Sequence, residues 1–186
     1  MKRLIVILAL ALTLALVGCA DGDDAVADGD SGQPGATDQC QAPELPPVQF
    51  GSHLIGDGQP PVPYTSTPPT SGWHASGAIP IGVGDYSEPQ QVSVLESGAI
   101  VVSHGPLATG QTSALRDLAE DRYDGRMAVT PHDQLENGEV VIAGWGVLQR
   151  CDGVDQDAIE AFVATYAAEE PAVPGEDTTP RTDGPR

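Results

Sequence analysis

The sequence predicts an α+β domain: a small β-α-β-β-α sheet-and-helix sandwich, preceded by a long irregular arm rich in proline and glycine. Three observations support this fold class. They are short apolar runs rich in β-branched residues, two segments with apolar residues at helical spacing, and turn residues between them. The first run, residues 99–103, is followed by Gly105-Pro106 and is typical of a buried strand.

Residues 111–121 predict the first helix and residues 126–130 the second strand, which Pro131 ends. The apolar face of this helix consists of Ala114, Leu115, Leu118 and Ala119. A strand, a helix and a strand in succession imply a right-handed parallel crossover.

The turn Asn137-Gly138 precedes a third predicted strand, residues 139–145, with Trp145 in the core. Asp155 is a favourable N-cap for a second helix, which extends to about residue 168. Its apolar side chains recur at helical spacing and are Ile159, Phe162, Val163 and Tyr166.

The irregular arm covers about residues 40–94. Residues 48–50 alternate like a short strand, which Pro46-Pro47 limits to a sheet edge. In a compact domain so long an irregular segment is usually functional or held by specific contacts.

The chain begins with a predicted signal peptide, residues 1–18, whose apolar stretch is short for a membrane-spanning helix. Its last three residues and the following cysteine, Leu16-Val17-Gly18-Cys19, match the pattern of a bacterial lipoprotein. We expect cleavage before Cys19 and acyl chains such as palmitate on this residue, which would anchor the protein to the extracytoplasmic face of the cell membrane. The alternative is an ordinary secretory leader with an incidental cysteine.

The rest of the chain divides into three parts. Residues 19–39 carry six aspartates among small and polar residues and predict a disordered linker. Residues 40–171 predict a single globular domain, expected to be a monomer. Residues 172–186 predict a disordered acidic tail.

The formal net charge of −19 narrows the range of partners. The only lysine, Lys2, lies in the leader, so the remaining chain has no lysine and is strongly acidic. It therefore repels the phosphate backbones of nucleic acids, and we expect no nucleic-acid binding. It also repels anionic headgroups, so attachment to membrane lipid must depend on Cys19. An envelope protein or a wall component remains as a candidate partner.

Cys40 and Cys151 form an even pair in an oxidising compartment once Cys19 carries lipid. We predict a disulfide between them, which would stabilise the fold by about 4–5 kcal/mol in the chain-entropy model. The alternative is a thiol or metal role, but the sequence has no C-x-x-C pattern to support it.

Several motifs follow one another through the arm and the core. The most specific is Pro68-Pro69-Thr70-Ser71-Gly72-Trp73-His74. The others are Gly51-Ser52-His53, Tyr64, Gly84-Asp85-Tyr86-Ser87-Glu88-Pro89, Leu95-Glu96-Ser97-Gly98, Gly144-Trp145-Gly146, and the last helix with Phe162, Tyr166 and Glu170-Pro171. Over about residues 48–171 this order resembles a bacterial family catalogued as domain of unknown function 3105.

The resemblance implies a candidate metal-binding motif in members of the family, and this chain departs from that motif. The family carries His-x-Leu-Glu-His-Gly at residues 93–98, and this H-x-x-E-H spacing can hold zinc. This chain has Ser93 and Ser97 instead, and serine hydroxyls are poor ligands for such metals. Metalloprotease chemistry is therefore not expected at this motif.

His53 and His74 match the family's positions and, with Glu96, form a candidate copper or zinc site. The structural alternative is that each imidazole only hydrogen-bonds loop backbone. Tyr64 and Trp73 are candidate binding residues or, alternatively, packing anchors of the arm.

The sequence contains no nucleophile elbow, no Walker loop and no repeat, so we expect no enzyme. The predicted function is a membrane-anchored, non-enzymatic binding or interaction domain that needs no cofactor. The alternative is an envelope module that binds copper or zinc.

Overall fold

The computed structural model describes residues 34–56 and 58–170. The predicted signal peptide, Cys19, the linker up to residue 33 and the tail from residue 172 lie outside the described residues. In chain order the elements are β1 (His53–Leu54), β2 (His74–Ala75), α1 (Glu88–Glu96), β3 (Ile100–His104), α2 (Thr109–Asp117), β4 (Met127–Pro131), β5 (Glu139–Gly144), β6 (Val147–Asp152) and α3 (Gln156–Tyr166). The predicted α+β class is confirmed.

A four-stranded sheet in the order β4-β3-β5-β6 lies at the centre of the fold. Strands β3 and β4 are parallel, as the predicted crossover requires, and α2 connects them together with a π-helical segment, Leu118–Arg122. Strand β5 runs antiparallel to β3 and pairs with β6 in a hairpin. Because most strand residues are buried on both faces, the apolar runs were readable in the sequence.

Both faces of the sheet are covered. Helices α2 and α3 pack on one face, where Ile100, Met127 and Phe162 are fully buried. Helix α1 packs on the other face, where Val101 and Leu95 are buried in the second cluster. The sequence predicted only two helices. It did not predict α1 or the layer that this helix forms on the second face of the sheet.

Helix α1 falls within the predicted irregular arm, which ends earlier than expected. Pro89 occupies the first turn of α1. Proline is tolerated there because the main-chain N–H that it lacks would have no acceptor within the helix. The helix buries residues 91–95 on nearly all sides, so its sequence shows no amphipathic period.

Two other predictions are wrong, and one strand was not predicted. Residues 48–50 form no strand, since the amide of Gln49 donates to the hydroxyl of Ser71 and Phe50 is exposed. Trp145 is 42% exposed rather than in the core, because it lies in the two-residue turn between β5 and β6. Strand β6 was missed because Gln149 and Arg150 interrupt its apolar pattern.

The start of the arm is attached to the edge strand β6. The predicted disulfide between Cys40 and Cys151 is present, and the amide of Glu44 donates to the carbonyl of Leu148 at 2.7 Å. The domain also begins earlier than residue 40, in the segment assigned to the linker. The carbonyl of Gln39 accepts from the amide of Asp152, and the Thr37 hydroxyl donates to Asp155.

Within residues 34–56 and 58–170, no helix has the length and apolarity needed to cross a bilayer.

Candidate metal centre

Two histidines meet in the arm because β1 and β2 pair in parallel. The register sets His53 opposite His74. The pairing brings two backbones very close together at Gly51. A Cβ atom there would lie 2.2 Å from the carbonyl carbon of Gly72 and 2.3 Å from the amide nitrogen of Trp73, so only glycine fits.

Helix α1 supplies the third side chain, Glu96, at its C-terminal end. The helix packs against β2, and the hydroxyl of Ser93 donates to the carbonyl of Ala75 at 2.8 Å. This hydrogen bond joins the helix to the strand one residue beyond His74. The Oε2 atom of Glu96 consequently lies 3.0 Å from the Nε2 atom of His74.

The structure therefore brings together all three residues of the predicted metal site. One ligand atom from each of His53, His74 and Glu96 can be chosen so that all three lie within 4.8 Å of one another. The two imidazole rings are 4.5 Å apart between centroids and inclined at 74°. His74 is buried, whereas His53 is exposed and the side chain of Glu96 is 46% exposed. The cluster thus has one fixed ligand and two that can adjust.

The nitrogen of His74 that faces Glu96 carries a lone pair in the neutral ring. The Nδ1 atom lies 3.0 Å from the carbonyl oxygen of Gly72 and, since a carbonyl only accepts, Nδ1 must hold the proton. Nε2 and the nearby carboxylate oxygen are then both acceptors, and among the described residues Nε2 is buried without a hydrogen bond. Two acceptors this close repel each other unless a cation lies between them, either a metal ion or a second imidazole proton.

The two serines that flank Glu96, Ser93 and Ser97, use their hydroxyls locally. The Ser93 hydroxyl lies within hydrogen-bond distance of the carbonyls of Ala75 and Pro89 and shares its one proton between them. Ser97 donates to the carbonyl of Val94 at 2.6 Å. Both hydroxyls are thus committed to main-chain acceptors beside the cluster.

Tyr64 and Trp73, the predicted aromatic binding residues, contact each other within the arm. The Tyr64 hydroxyl donates to the carbonyl of Trp73 at 2.6 Å, and both side chains are half-buried. Burial, and secondly the negative charge of Glu88, raise the pKa of Tyr64 well above its ordinary value. The phenol therefore stays neutral and keeps this hydrogen bond at ordinary pH, next to the strand that carries His74.

One further histidine, His132, has a buried side chain. It follows Pro131 beside a turn, where side chains are usually exposed to solvent, yet its side chain is only 7% exposed. Its position just beyond the end of β4 was the available signal, because residues that follow parallel strands often line clefts.

Comparison with known proteins identifies the family and no closer relative. No curated protein matches the chain, and no solved structure does. The family model described as "Protein of unknown function (DUF3105)" matches residues 57–182, a range that includes His74 and Glu96 and begins just after His53. The chain therefore belongs to this family, the one that its sequence motifs resemble.

Proposed function

We propose that this protein is a lipid-anchored extracytoplasmic lipoprotein whose domain binds one zinc or copper ion through His53, His74 and Glu96. The observation that carries the metal site is the pair of acceptors, His74 Nε2 and Glu96 Oε2, held 3.0 Å apart. Ligand atoms of one ion lie about 3 Å apart when each bond to the metal is about 2 Å long. The pair thus has the separation of two ligands of the same ion.

The surroundings of His74 support the same proposal. A metal-ligating histidine usually donates its other ring N–H to a carboxylate, a carbonyl or water, which orients the ring. The hydrogen bond from Nδ1 of His74 to the carbonyl of Gly72 is of this kind. This contact also fixes the imidazole of His74, the one buried residue of the three proposed ligands.

The donor set favours zinc or copper over other ions. Imidazole nitrogens suit zinc and copper, while magnesium and calcium prefer oxygen ligands alone. Two histidines and one glutamate leave at least one coordination position open. Because His53 and Glu96 are exposed to solvent, the open coordination position is accessible. The proposed site can therefore take up and release an ion.

Metal analysis of the purified full-length protein tests the proposal. We expect one zinc or copper ion per chain. The variant Glu96→Gln should lower the affinity by more than the roughly 10–100-fold that loss of a supporting group costs, because it removes a ligand itself. His74→Ala should do the same. Affinity should also fall at acid pH, since protons compete for the imidazole nitrogens.

A matched control is Glu120→Gln. Glu120 has the same charge and a side chain 52% exposed, but it pairs with Arg116 away from the site. This variant should bind metal like the parent. Equal affinity in Glu96→Gln, His74→Ala and the parent would reject the site, as would a parent that binds no ion.

The anchor is tested separately by mass spectrometry of the protein from its native membrane. We expect an N-terminal peptide that begins at Cys19 and carries the mass of a diacylglycerol thioether. The Cys19→Ser variant should appear in the soluble fraction, since the acidic domain has no affinity of its own for anionic lipid. An unmodified amino terminus would refute lipidation while leaving the metal site untouched.

A further inference from the structure

We propose a second binding site in this protein, a groove around His132 that takes a polypeptide segment bearing lysine or arginine. The His132 groove consists of adjoining cavities that share walls. One, of about 590 Å³, lies between residues 85–91 and residues 131–134. A second, of about 700 Å³, lies beside residues 104–106, and His132 lines both. The site is distinct from the cluster of His53, His74 and Glu96 and does not depend on the proposed metal.

The walls of the His132 groove are acidic. Asp85, Glu88 and Asp133 line the first cavity, and Glu136 lines the second. A third cavity of about 380 Å³ continues from Glu88 along the proline-rich residues 59–63. None of the described residues that line these cavities is lysine or arginine. The groove therefore repels anions and favours a ligand with positive charge.

His132 adds a hydrogen-bond donor to this acidic surface. Its Nδ1 atom accepts from the amide of Gln134 at 3.3 Å, so Nε2 carries the proton of the neutral ring. Among the described residues, Nε2 has no acceptor within hydrogen-bond distance, and the Oε1 atom of Glu88 is 3.8 Å away. The side chain is more than nine-tenths buried. A buried donor without an acceptor is costly, so a ligand oxygen placed there would be held strongly.

The two features together define the ligand. The carboxylates favour a cationic group, and the His132 N–H favours an oxygen acceptor close to it. A lysine or arginine residue supplies both, the first from its side chain and the second from a main-chain carbonyl. A neutral glycan would satisfy the donor but leave the carboxylates without a counter-charge.

The peptide is recognised through side chains of the groove rather than by strand addition. The free edge of the sheet at β4 is covered, since the amide of Gly84 donates to the carbonyl of Val129 and the amide of Val129 to the carbonyl of Gly82. The partner is therefore a basic loop or tail of another polypeptide, held at one or two cationic side chains.

Isothermal titration of the full-length protein with a capped peptide of sequence Gly-Arg-Gly-Arg-Gly tests this inference. We expect binding that weakens as salt is added, because exposed charge pairs are screened. The same peptide with citrulline in place of arginine keeps the shape and loses the charge, and it should bind at least about 10-fold more weakly. Glu88→Gln and His132→Gln should each lower affinity for the arginine peptide about 10-fold.

Glu120→Gln serves again as the control for charge, and it should leave the affinity unchanged. Because Glu88 is on the surface, Glu88→Gln remains informative if His132→Gln misfolds. Equal binding of the arginine and citrulline peptides would overturn the inference. So would binding of chitotetraose in place of the peptide, or no binding of the arginine peptide at millimolar concentration.

Discussion

Replacing both Cys40 and Cys151 by serine is expected to lower the free energy of unfolding by about 4–5 kcal/mol, the value for a closed loop of roughly 100 residues. The bridge joins positions 111 residues apart and so removes much of the freedom of the unfolded chain. Both cysteines are buried at the junction of the arm with β6, so the hydroxyls would also be poorly accommodated. Urea denaturation of parent and variant measures the difference.

The parent protein in reductant provides the matched control for the cysteine substitution. Its midpoint should fall to near that of the double variant, whereas reductant should leave the variant unchanged. Since the sheet does not depend on the bridge for its pairing, the variant should still fold in the absence of urea. A parent midpoint that is insensitive to reductant would show that the bridge contributes nothing.

The variant Gly51→Ala is expected to lower metal affinity by at least about 100-fold, the upper end of the cost of displacing a supporting group. A Cβ atom at this position would collide with the main chain of Gly72 and Trp73, which cannot rotate away. The chain must then separate at β1 and β2, and His53 moves away from His74. Ala75 of β2 packs against the second core cluster, whereas the first cluster contains no residue of β1 or β2 and should remain packed.

The appropriate comparison is Gly35→Ala, because a Cβ atom on Gly35 meets nothing within 4 Å. That variant should bind zinc or copper like the parent. Circular dichroism should show the same fold for both variants. If Gly51→Ala retained full affinity, the parallel pairing of β1 with β2 would not be what positions the two imidazoles.

The central sheet was predictable because its strands are buried on both faces. Residues 99–103, 126–130 and 139–145 were expected as strands and overlap β3, β4 and β5 almost completely. Strand β6 was not predictable by the same rule, since polar residues interrupt it. The side-chain Nε2 of Gln149 donates to the carbonyls of Gly35 and Gln41, contacts that no local pattern reveals.

The sequence predicted which residues form the candidate metal site, but not how they come to lie close together. The resemblance supplied His53, His74 and Glu96, but their convergence depends on two events distant in sequence. One is a parallel pair of strands too short to have a recognisable period, and the other is a helix without an amphipathic face. The orientation of His74, set by the carbonyl of Gly72, is a three-dimensional fact with no counterpart in residue types.

The His132 groove was not predictable from residue types at all. Its histidine looked like an ordinary turn residue, and its carboxylates are scattered among the many acids of the chain. What distinguishes them is that the N-terminus of α1 and the loop after β4 line the same cavity. Their combination arises only from the order in which the strands and helices pack.

The covalent link between Cys40 and Cys151 also determines how the molecule bears mechanical load. A pull applied between the two ends of the chain would pass from Cys40 directly into β6 and on through α3. Residues 41–150 form a closed loop outside this path, so tension applied at the two ends would not stretch them. His53, His74 and Glu96 all belong to that shielded loop, and so does His132.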